Sequence, residues 1–202
     1  KFCDCVYEIK DKKFSELKTW MEKITFSIII PTFNRSSYLI KIIKKLVISQ
    51  YKLEIIVCDS SSKDQTKEKL QVISLLNKHQ KIRYIDIHKN NHSLKRNIGI
   101  KNAKGKYIIL LDDDCIPEKN FLKKYKKLLD LIKNRKIVIS GSVDYNFYTL
   151  NENFIKYRQS RHFKIKNDKD FGKNFLNPKN IVIMNMGFER KLLQKFKLFF
   201  DE

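Results

Sequence analysis

The chain has 202 residues, and its 43 lysines and arginines against 22 aspartates and glutamates give a formal net charge of +21. Forty-two per cent of the residues are hydrophobic, which is enough to bury a core and excludes an intrinsically disordered protein. No apolar run approaches the roughly 20 residues that span a bilayer, and no signal peptide is visible, so neither a membrane span nor a secretory leader is expected.

The strong positive charge favours anionic partners, namely phosphate groups, nucleic acid or an anionic membrane face. The lysines are scattered along the whole chain, however, and form no basic stripe interleaved with aromatic residues. We therefore expect no specific nucleic-acid partner. A peripheral contact with the inner face of an anionic membrane remains open.

Four cysteines form no disulfide framework and favour a reducing, cytoplasmic location. Cys3 and Cys5 fit either a metal site completed by ligands elsewhere or an ordinary surface pair. Cys58 and Cys115 are expected to be small apolar fillers at strand ends. Because the chain starts without Met and stops at Glu202, we expect a fragment of a longer protein.

Hydrophobic periodicity divides the chain into a lead-in over residues 1–24, either a helix or the tail of an upstream module, and a domain over residues 25–202. Strands are predicted at Phe26–Ile30, Leu53–Val57, Ile82–Ile87, Tyr107–Leu111 and Ile137–Val143, with a weaker one at Ile181–Met184. Helices are predicted after a cap at Ser36 or Ser37, from Asp64 to about His79, from Ser93 to Gly105, after Pro117, and at Glu189–Leu198. This alternation predicts an open, largely parallel α/β sheet with helices on both faces. The irregular residues 145–178 are expected to be a functional or mobile loop.

The segment KYIILLDDDCIP, residues 106–117, contains a buried strand followed by three carboxylates, Asp112, Asp113 and Asp114. In an extended chain Asp112 and Asp114 would face one way and Asp113 the other. Carboxylates that converge in this way suit a hard divalent cation such as Mg²⁺ or Mn²⁺. The alternative is a run of turn or capping residues. Pro117 is expected at the first helical position, so capping would not explain the aspartates.

Three polar groups follow predicted strands: Asn34-Arg35, Asp59 and Asp112–Asp114. Parallel strands end at the same edge of a sheet, and ligands bind beyond that edge. We therefore expect these side chains to meet although they are far apart in sequence.

Four segments in register resemble one family: SIIIPTFNR, IIVCDSSSKDQT, KRNIGIKNAKGKYIILLDDDCIP and NMGFERKLL. They are similar to the family 2 glycosyltransferases of the GT-A fold, and the resemblance covers about residues 25–202. It implies a mostly parallel central sheet flanked by helices. It also implies transfer of a sugar from a nucleotide-diphosphate donor, typically linked to UDP, with help from Mn²⁺ or Mg²⁺.

The resemblance assigns site residues position by position. The loop that holds the nucleotide corresponds to Pro31, Thr32, Phe33, Asn34 and Arg35. Asp59 corresponds to the residue that recognises the base, although Ser60-Ser61 replaces the usual acidic residue and glycine, which weakens the assignment of uracil. Arg96 and Asn97 match a block near the phosphates, where Lys95 replaces an alanine and would add positive charge. Asp114, with Asp112, would hold the metal, and Asp112 or Asp113 would contact the ribose.

Other matches carry open alternatives. Asn185, Met186 and Phe188 match a block near the donor sugar and acceptor, but packing at a strand–helix junction is favoured for Met186 and Phe188. His92 could touch phosphate or be a solvated loop residue. Arg96 and Asp59, taken without the family, could be a solvated helix residue and a turn residue.

The family inverts the anomeric carbon by direct displacement, which needs a general base on the acceptor hydroxyl. The expected base lies beyond Glu202, and Asp201 and Glu202 are weak stand-ins. We therefore expect this chain to bind donor and metal but to transfer poorly. The acceptor would be a glycan, a lipid-linked sugar or a protein.

Three rival interpretations remain. A nucleotidyltransferase shares the sheet and the acidic metal site, but the Gly-rich loop typical of that class is missing after the first strand. A non-catalytic module that binds nucleotide sugars or docks a partner would explain a missing base. A basic nucleic-acid binder would show steep salt dependence.

Overall fold

A computed structural model gives the architecture of the chain. The structure describes residues 24–132, 137–141, 143, 152–153, 156, 183–196 and 199–201. The predictions for Cys3, Cys5 and Glu202, for the lead-in up to residue 23, and for almost all of the 145–178 loop lie outside the described residues.

Six strands and five helices are described along the chain. The strands are β1 (Phe26–Thr32), β2 (Leu53–Asp59), β3 (Lys81–Asp86), β4 (Tyr107–Leu111), β5 (Val138–Ser140) and β6 (Asn185–Glu189). The helices are α1 (Ser36–Val47), α2 (Thr66–Leu76), α3 (His92–Asn102), α4 (Phe121–Leu131) and α5 (Arg190–Phe196). Within the part of the chain that the structure describes, no helix is both long and apolar enough to cross a membrane.

The strands form one sheet in the order β3-β2-β1-β4-β6-β5. The first four in that order run parallel, β6 is antiparallel to β4, and β5 is antiparallel to β6. The predicted α/β architecture with a mostly parallel sheet is confirmed. The edge that gathers the carboxyl ends of β1, β2 and β4 is the edge where the sequence placed its polar groups.

Strands β1 and β2 are longer than predicted. They stay paired up to Thr32 and Asp59, which are register partners. Pro31, Thr32 and Asp59 therefore lie in the sheet rather than in loops. Backbone pairing between β1 and β2 fixes the last positions of both strands, so the side chains of Thr32 and Asp59 extend from a rigid part of the sheet.

Three predicted helix starts are wrong, and for α1 and α3 the reason is that the capping group is a different residue from the predicted one. The Ser36 amide that begins α1 donates to the carboxylate of Asp64 at 2.6 Å, so a distant side chain replaces the predicted serine cap. Helix α3 is capped by Asn91, whose side chain accepts from the Leu94 amide at 3.0 Å, and not by Ser93. Pro117 is buried in the loop before α4, which begins only at Phe121.

Other predicted boundaries also differ from the observed ones. Helix α3 ends at Asn102, three residues before Gly105. The strand predicted at 181–184 is displaced, since residues 183–184 form a turn and β6 begins at Asn185. The fifth strand is shorter than predicted and covers only Val138–Ser140.

The core has two layers, one on each side of the sheet. Helices α1, α2 and α4 cover one side with Leu39, Ile42, Ile43, Leu46, Leu70, Ile73, Phe121, Leu122, Tyr125 and Leu129. Helices α3 and α5 cover the other side, where Ile100, Leu192 and Leu193 pack on Ile29, Ile56, Ile108 and Leu110. Helix α3 approaches β1 closely at Gly99, where an added Cβ would lie 2.4 Å from Ile29. That approach sets the height of α3 above the strand ends.

A buried carboxylate braces the opposite edge of the sheet. Glu54 in β2 is fully buried and accepts from the Ser27 hydroxyl at 2.5 Å and from the amides of Lys104 and Gly105. Arg83 in β3 lies 3.4 Å from it. These contacts join β1, β2, β3 and the turn before β4 at the amino ends of the strands.

Candidate active site

Direct side-chain contacts join β1 to the acidic segment, Asp112–Asp114, at the carboxyl edge of the sheet. The Thr32 hydroxyl donates to Asp113 at 2.8 Å. The Nη1 atom of Arg35 lies 3.2 Å from Asp113 Oδ1 and 2.9 Å from Asp114 Oδ2. The predicted meeting of residues that are about 80 positions apart is confirmed.

The first loop, Phe33–Arg35, is also tied to the second loop, Ser60–Gln65. The Asn34 amide donates to the Ser62 hydroxyl at 2.7 Å, and the Lys63 amide donates to the Asn34 side chain at 2.9 Å. Asn34 adopts a left-handed backbone with φ of 51°, a region that Asn tolerates better than most residues. Phe33 is exposed at the rim. The two loops therefore form one polar wall beside the acidic segment.

Asp59 is fully buried at the end of β2. It accepts from the Ser62 amide at 3.0 Å, from the Ser62 hydroxyl at 2.5 Å and from the Tyr84 hydroxyl at 2.8 Å. Burial, followed by the contact with Asp59, raises the pKa of Tyr84. Sequence reasoning missed Ser62 and Tyr84 as partners of this carboxylate. A signal was available for Tyr84, since it lies on β3 two residues before the register partner of Asp59.

The acidic segment is not extended, so the predicted alternation is wrong. β4 ends at Leu111, and Asp113 and Asp114 form a turn that the Cys115 amide closes on the Asp112 carbonyl at 3.1 Å. As a result Asp113 and Asp114 share Arg35, whereas Asp112 pairs with Arg96 at 2.8 Å. Burial raises the pKa of Asp113, and the Thr32 and Arg35 contacts oppose that rise.

Helix α3 brings two cations to the edge. Lys95 is fully buried, and its ammonium donates to the Thr32 carbonyl and to Asn90 Oδ1, both at 2.9 Å. This contact holds the end of β1 beside the acidic segment, and the expectation that Lys95 adds positive charge near the phosphates stays a prediction. Burial lowers the pKa of Lys95. Arg96, the next residue of α3, carries a buried Nε without a hydrogen-bond partner in the described part of the chain.

His92 stands at the start of α3. Its pKa is lowered by partial burial and then by the charges of Lys95 and Arg96, with Asp112 and Asp113 acting the other way. The residue as a whole is exposed, so part of it faces solvent. His92 is therefore an exposed neighbour of the two α3 cations.

Asn97 belongs to a different contact. Its carboxamide is buried and exchanges two hydrogen bonds of 2.8 Å with the backbone of Phe200. The Phe200 ring lies 6.0 Å from the guanidinium of Arg96. The segment 199–201 is thus attached to α3 through Phe200, and the next residue, Asp201, is exposed.

The remaining predicted residues are mostly core. Met186 and Phe188 pack with Ile108 and Leu110, which confirms the packing alternative for both. Asn185 is buried, and the Tyr125 hydroxyl donates to its side chain at 2.7 Å.

Cys58 lies in the core, where burial raises its pKa to about 12, and Cys115 packs against the other core layer. Both cysteines are fillers, as predicted.

The acidic segment suits a divalent cation in its chemistry. The Asp114 side chain is 52% exposed and that of Asp112 is 27% exposed, so both offer hard oxygen donors to solvent. No cluster of three or more metal-binding side chains occurs among the described residues. A cation held here would therefore complete its shell with water and ligand oxygens, as Mg²⁺ does beside substrate phosphates.

The model of one family, Glycosyl transferase family 2, matches residues 27–196. The chain belongs to this family. A glycosyltransferase of Rickettsia conorii, described as uncharacterized, is 33% identical over 159 residues, which are 75% of this chain and 24% of that protein. The chain therefore spans about a quarter of the length of this relative.

Solved structures show the same GT-A fold. TarS 1–349 of S. aureus in complex with UDP-GlcNAc matches with a TM-score of 0.60 at 19% identity, over 88% of this chain and 48% of that one. The mannosyltransferase PcManGT from Pyrobaculum calidifontis, in complex with GDP-Man and Mn²⁺, matches with a TM-score of 0.60 at 14% identity, over 91% and 52%.

Proposed function

We propose that this family 2 domain binds a nucleotide-diphosphate sugar, with UDP as the carrier, and takes part in inverting, metal-assisted transfer of the sugar. The observation that carries the proposal is the contact of Thr32 and Arg35 with Asp113 and Asp114. It joins the predicted nucleotide loop to the predicted metal-binding segment. Neighbours of the same fold bind UDP-GlcNAc and GDP-Man, which supports a nucleotide-diphosphate sugar as the donor, whereas the choice of UDP rests on the family resemblance.

In this proposal the first and second loops hold the nucleoside. Asp59 lies in the wall that they form, and its carboxylate is fixed by Ser62 and Tyr84. A carboxylate is an acceptor, so it suits the N–H donor of a uracil ring, which would have to displace one of the present donors. Asn34 and Arg35 line the same wall, between the base and the acidic segment.

Arg96 is proposed to bind the diphosphate. Its buried Nε has no acceptor among the described residues, and a buried donor without a partner is unfavourable. A phosphate oxygen would supply the acceptor, and the first turn of α3 adds backbone N–H groups that favour an anion. His92 lies in that turn.

A divalent cation would be held by Asp114, with Asp112 as the second candidate ligand. When bound, it would neutralise the charge that develops on the diphosphate as the sugar leaves. Asp113, buried and bonded to Thr32, would keep the turn in place. Asp201 is proposed as a weak candidate for the general base.

Calorimetric titration of UDP and of GDP, with and without Mn²⁺, tests this function. UDP is expected to bind more tightly than GDP, and Mn²⁺ is expected to strengthen binding. Asp114→Ala should remove the effect of Mn²⁺, whereas Glu118→Ala, which removes an exposed carboxylate paired with Lys124, should not. No binding of either nucleotide at millimolar concentration would refute the proposal.

We also propose a peripheral contact with an anionic membrane, through exposed lysines on α1 and α4, two of the three helices that cover one side of the sheet. They are Lys41, Lys44 and Lys45 on α1 and Lys123 and Lys127 on α4. Vesicles with anionic lipid should co-sediment with the chain at low salt and release it at high salt. Equal binding to neutral vesicles, or none to anionic ones at low salt, would refute this contact. The acceptor is proposed to be a glycan, a lipid-linked sugar or a protein.

A further inference from the structure

One nitrogen of Arg35 occupies a position between two carboxylates. Its Nη1 lies 3.2 Å from Asp113 Oδ1 and 2.9 Å from Asp114 Oδ2. A positive group that contacts oxygens of two different acids stands where a cation would stand. Asp114 is also the proposed metal ligand, so Arg35 and a metal would compete for the same oxygen.

The negative charge of the acidic segment is nearly balanced by positively charged side chains of the protein itself. Its three carboxylates meet two guanidiniums, with Arg35 on Asp113 and Asp114 and Arg96 on Asp112. A divalent cation that arrives alone would meet carboxylates whose negative charge the two arginines already compensate. A diphosphate offers both arginines a new anionic partner, so a cation that arrives with a diphosphate would find the carboxylates available.

Arg35 can leave without disturbing the fold. Its side chain is 53% exposed, and its carbonyl anchors the start of α1 by accepting from the amides of Tyr38 and Leu39 at 3.1 Å. Asp113 would keep its bond to Thr32 at 2.8 Å. The backbone at Arg35 is therefore fixed while the guanidinium remains free to exchange partners.

We propose that Arg35 is an internal counter-ion that blocks Asp114 against free metal and releases it when a nucleotide diphosphate binds. This proposal rests on the proposed function, because the diphosphate is the ligand that draws the guanidinium away. Metal and nucleotide then bind cooperatively, and by linkage each raises the affinity for the other by the same factor.

The experiment is a titration with Mn²⁺ alone, in which free Mn²⁺ is followed by its electron paramagnetic resonance signal. The variants are Arg35→Gln, Lys63→Gln as the matched control, and Arg35→Gln combined with Asp114→Ala. Lys63 is exposed in the second loop, so its substitution removes an equal positive charge from the same polar wall. Arg35→Gln is expected to bind Mn²⁺ about tenfold more tightly than the parent chain, beyond any gain in Lys63→Gln, and Asp114→Ala should abolish the gain.

A second series repeats the titration in the presence of UDP. The parent chain should show a large increase in Mn²⁺ affinity on adding UDP, and Arg35→Gln a smaller one. Two results would overturn the proposal that Arg35 is an internal counter-ion. They are equal Mn²⁺ affinity in Arg35→Gln and Lys63→Gln, and no detectable Mn²⁺ binding to Arg35→Gln at millimolar concentration. If UDP fails to bind any variant while the gain without UDP persists, Arg35 still blocks Asp114 but the nucleotide-dependent release and the proposed function are both refuted.

Discussion

Asn97 and Phe200 are joined by two reciprocal hydrogen bonds of 2.8 Å, although 103 positions separate them. The carboxamide of Asn97 pairs with the amide and carbonyl of Phe200 as a neighbouring strand would. It therefore substitutes for a sheet contact and holds the chain after α5 against α3. The neighbouring residue Arg96 faces the Phe200 ring and also pairs with Asp112. The attachment is thus one residue away from the candidate site.

Asn97→Ala is expected to lower the free energy of unfolding by about 1–3 kcal/mol, because two backbone groups of Phe200 lose buried partners. Urea unfolding measures the loss, and hydrogen exchange at the Phe200 amide should become faster. Asn120→Ala is the control, since Asn120 precedes α4 and its side chain makes no capping bond. Unchanged exchange at Phe200 would show that the attachment does not depend on Asn97.

Arg96→Gln is expected to weaken UDP binding by roughly tenfold, because charge-assisted hydrogen bonds to a phosphate are lost. Calorimetry at fixed Mn²⁺ measures the change. Lys101→Gln, in the last turn of the same helix, removes an equal charge away from the acidic segment and should leave the affinity nearly unchanged. Equal losses in the two variants would indicate a general charge effect in place of a contact.

Glu54→Ala is expected to cost about 3–5 kcal/mol, since it leaves the Ser27 hydroxyl and the amides of Lys104 and Gly105 without their buried acceptor. Thermal or urea unfolding measures it. Glu54→Gln keeps an acceptor oxygen and should cost less. A loss under 1 kcal/mol in Glu54→Ala would mean that water or a rearranged side chain satisfies these donors.

The pH dependence of stability should carry a contribution from His92. Its pKa is lowered in the folded chain, so below about 6.5, the ordinary value, the unfolded chain binds more protons. Stability from this residue is therefore complete above pH 6.5 and decreases as the pH falls towards the folded pKa. His92→Gln should show a shallower decrease between pH 7 and 5 in urea unfolding. Parallel curves for the parent chain and His92→Gln would contradict this assignment.

Local sequence patterns predicted the parts of the site that depend on strand ends. The apolar runs located β1, β2 and β4, and the rule that parallel strands end together brought Arg35 and Asp113 to the same edge. The four sequence segments also identified the family, which the match over residues 27–196 confirms.

Local sequence patterns could not predict contacts between residues that are distant in sequence. The cap of α1 by Asp64 and the burial of Lys95 under Thr32 depend on which loops become neighbours, and the sequence contains no local sign of either. The alternation expected for Asp112–Asp114 was wrong because β4 stops at Leu111 and the chain turns. The roles assigned to individual site residues through the family stay predictions.

The strand order β3-β2-β1-β4-β6-β5 also sets a sequence of events during synthesis. The four parallel strands are complete once Leu111 has left the ribosome, but β5 has no described partner except β6, which is made about 45 residues later. Until Asn185–Glu189 emerges, one side of β4 presents unpaired backbone groups, and the nascent chain must be protected there from pairing with other chains. The acidic segment lies at the end of that strand, so a nascent chain reaches its finished site only after this late insertion.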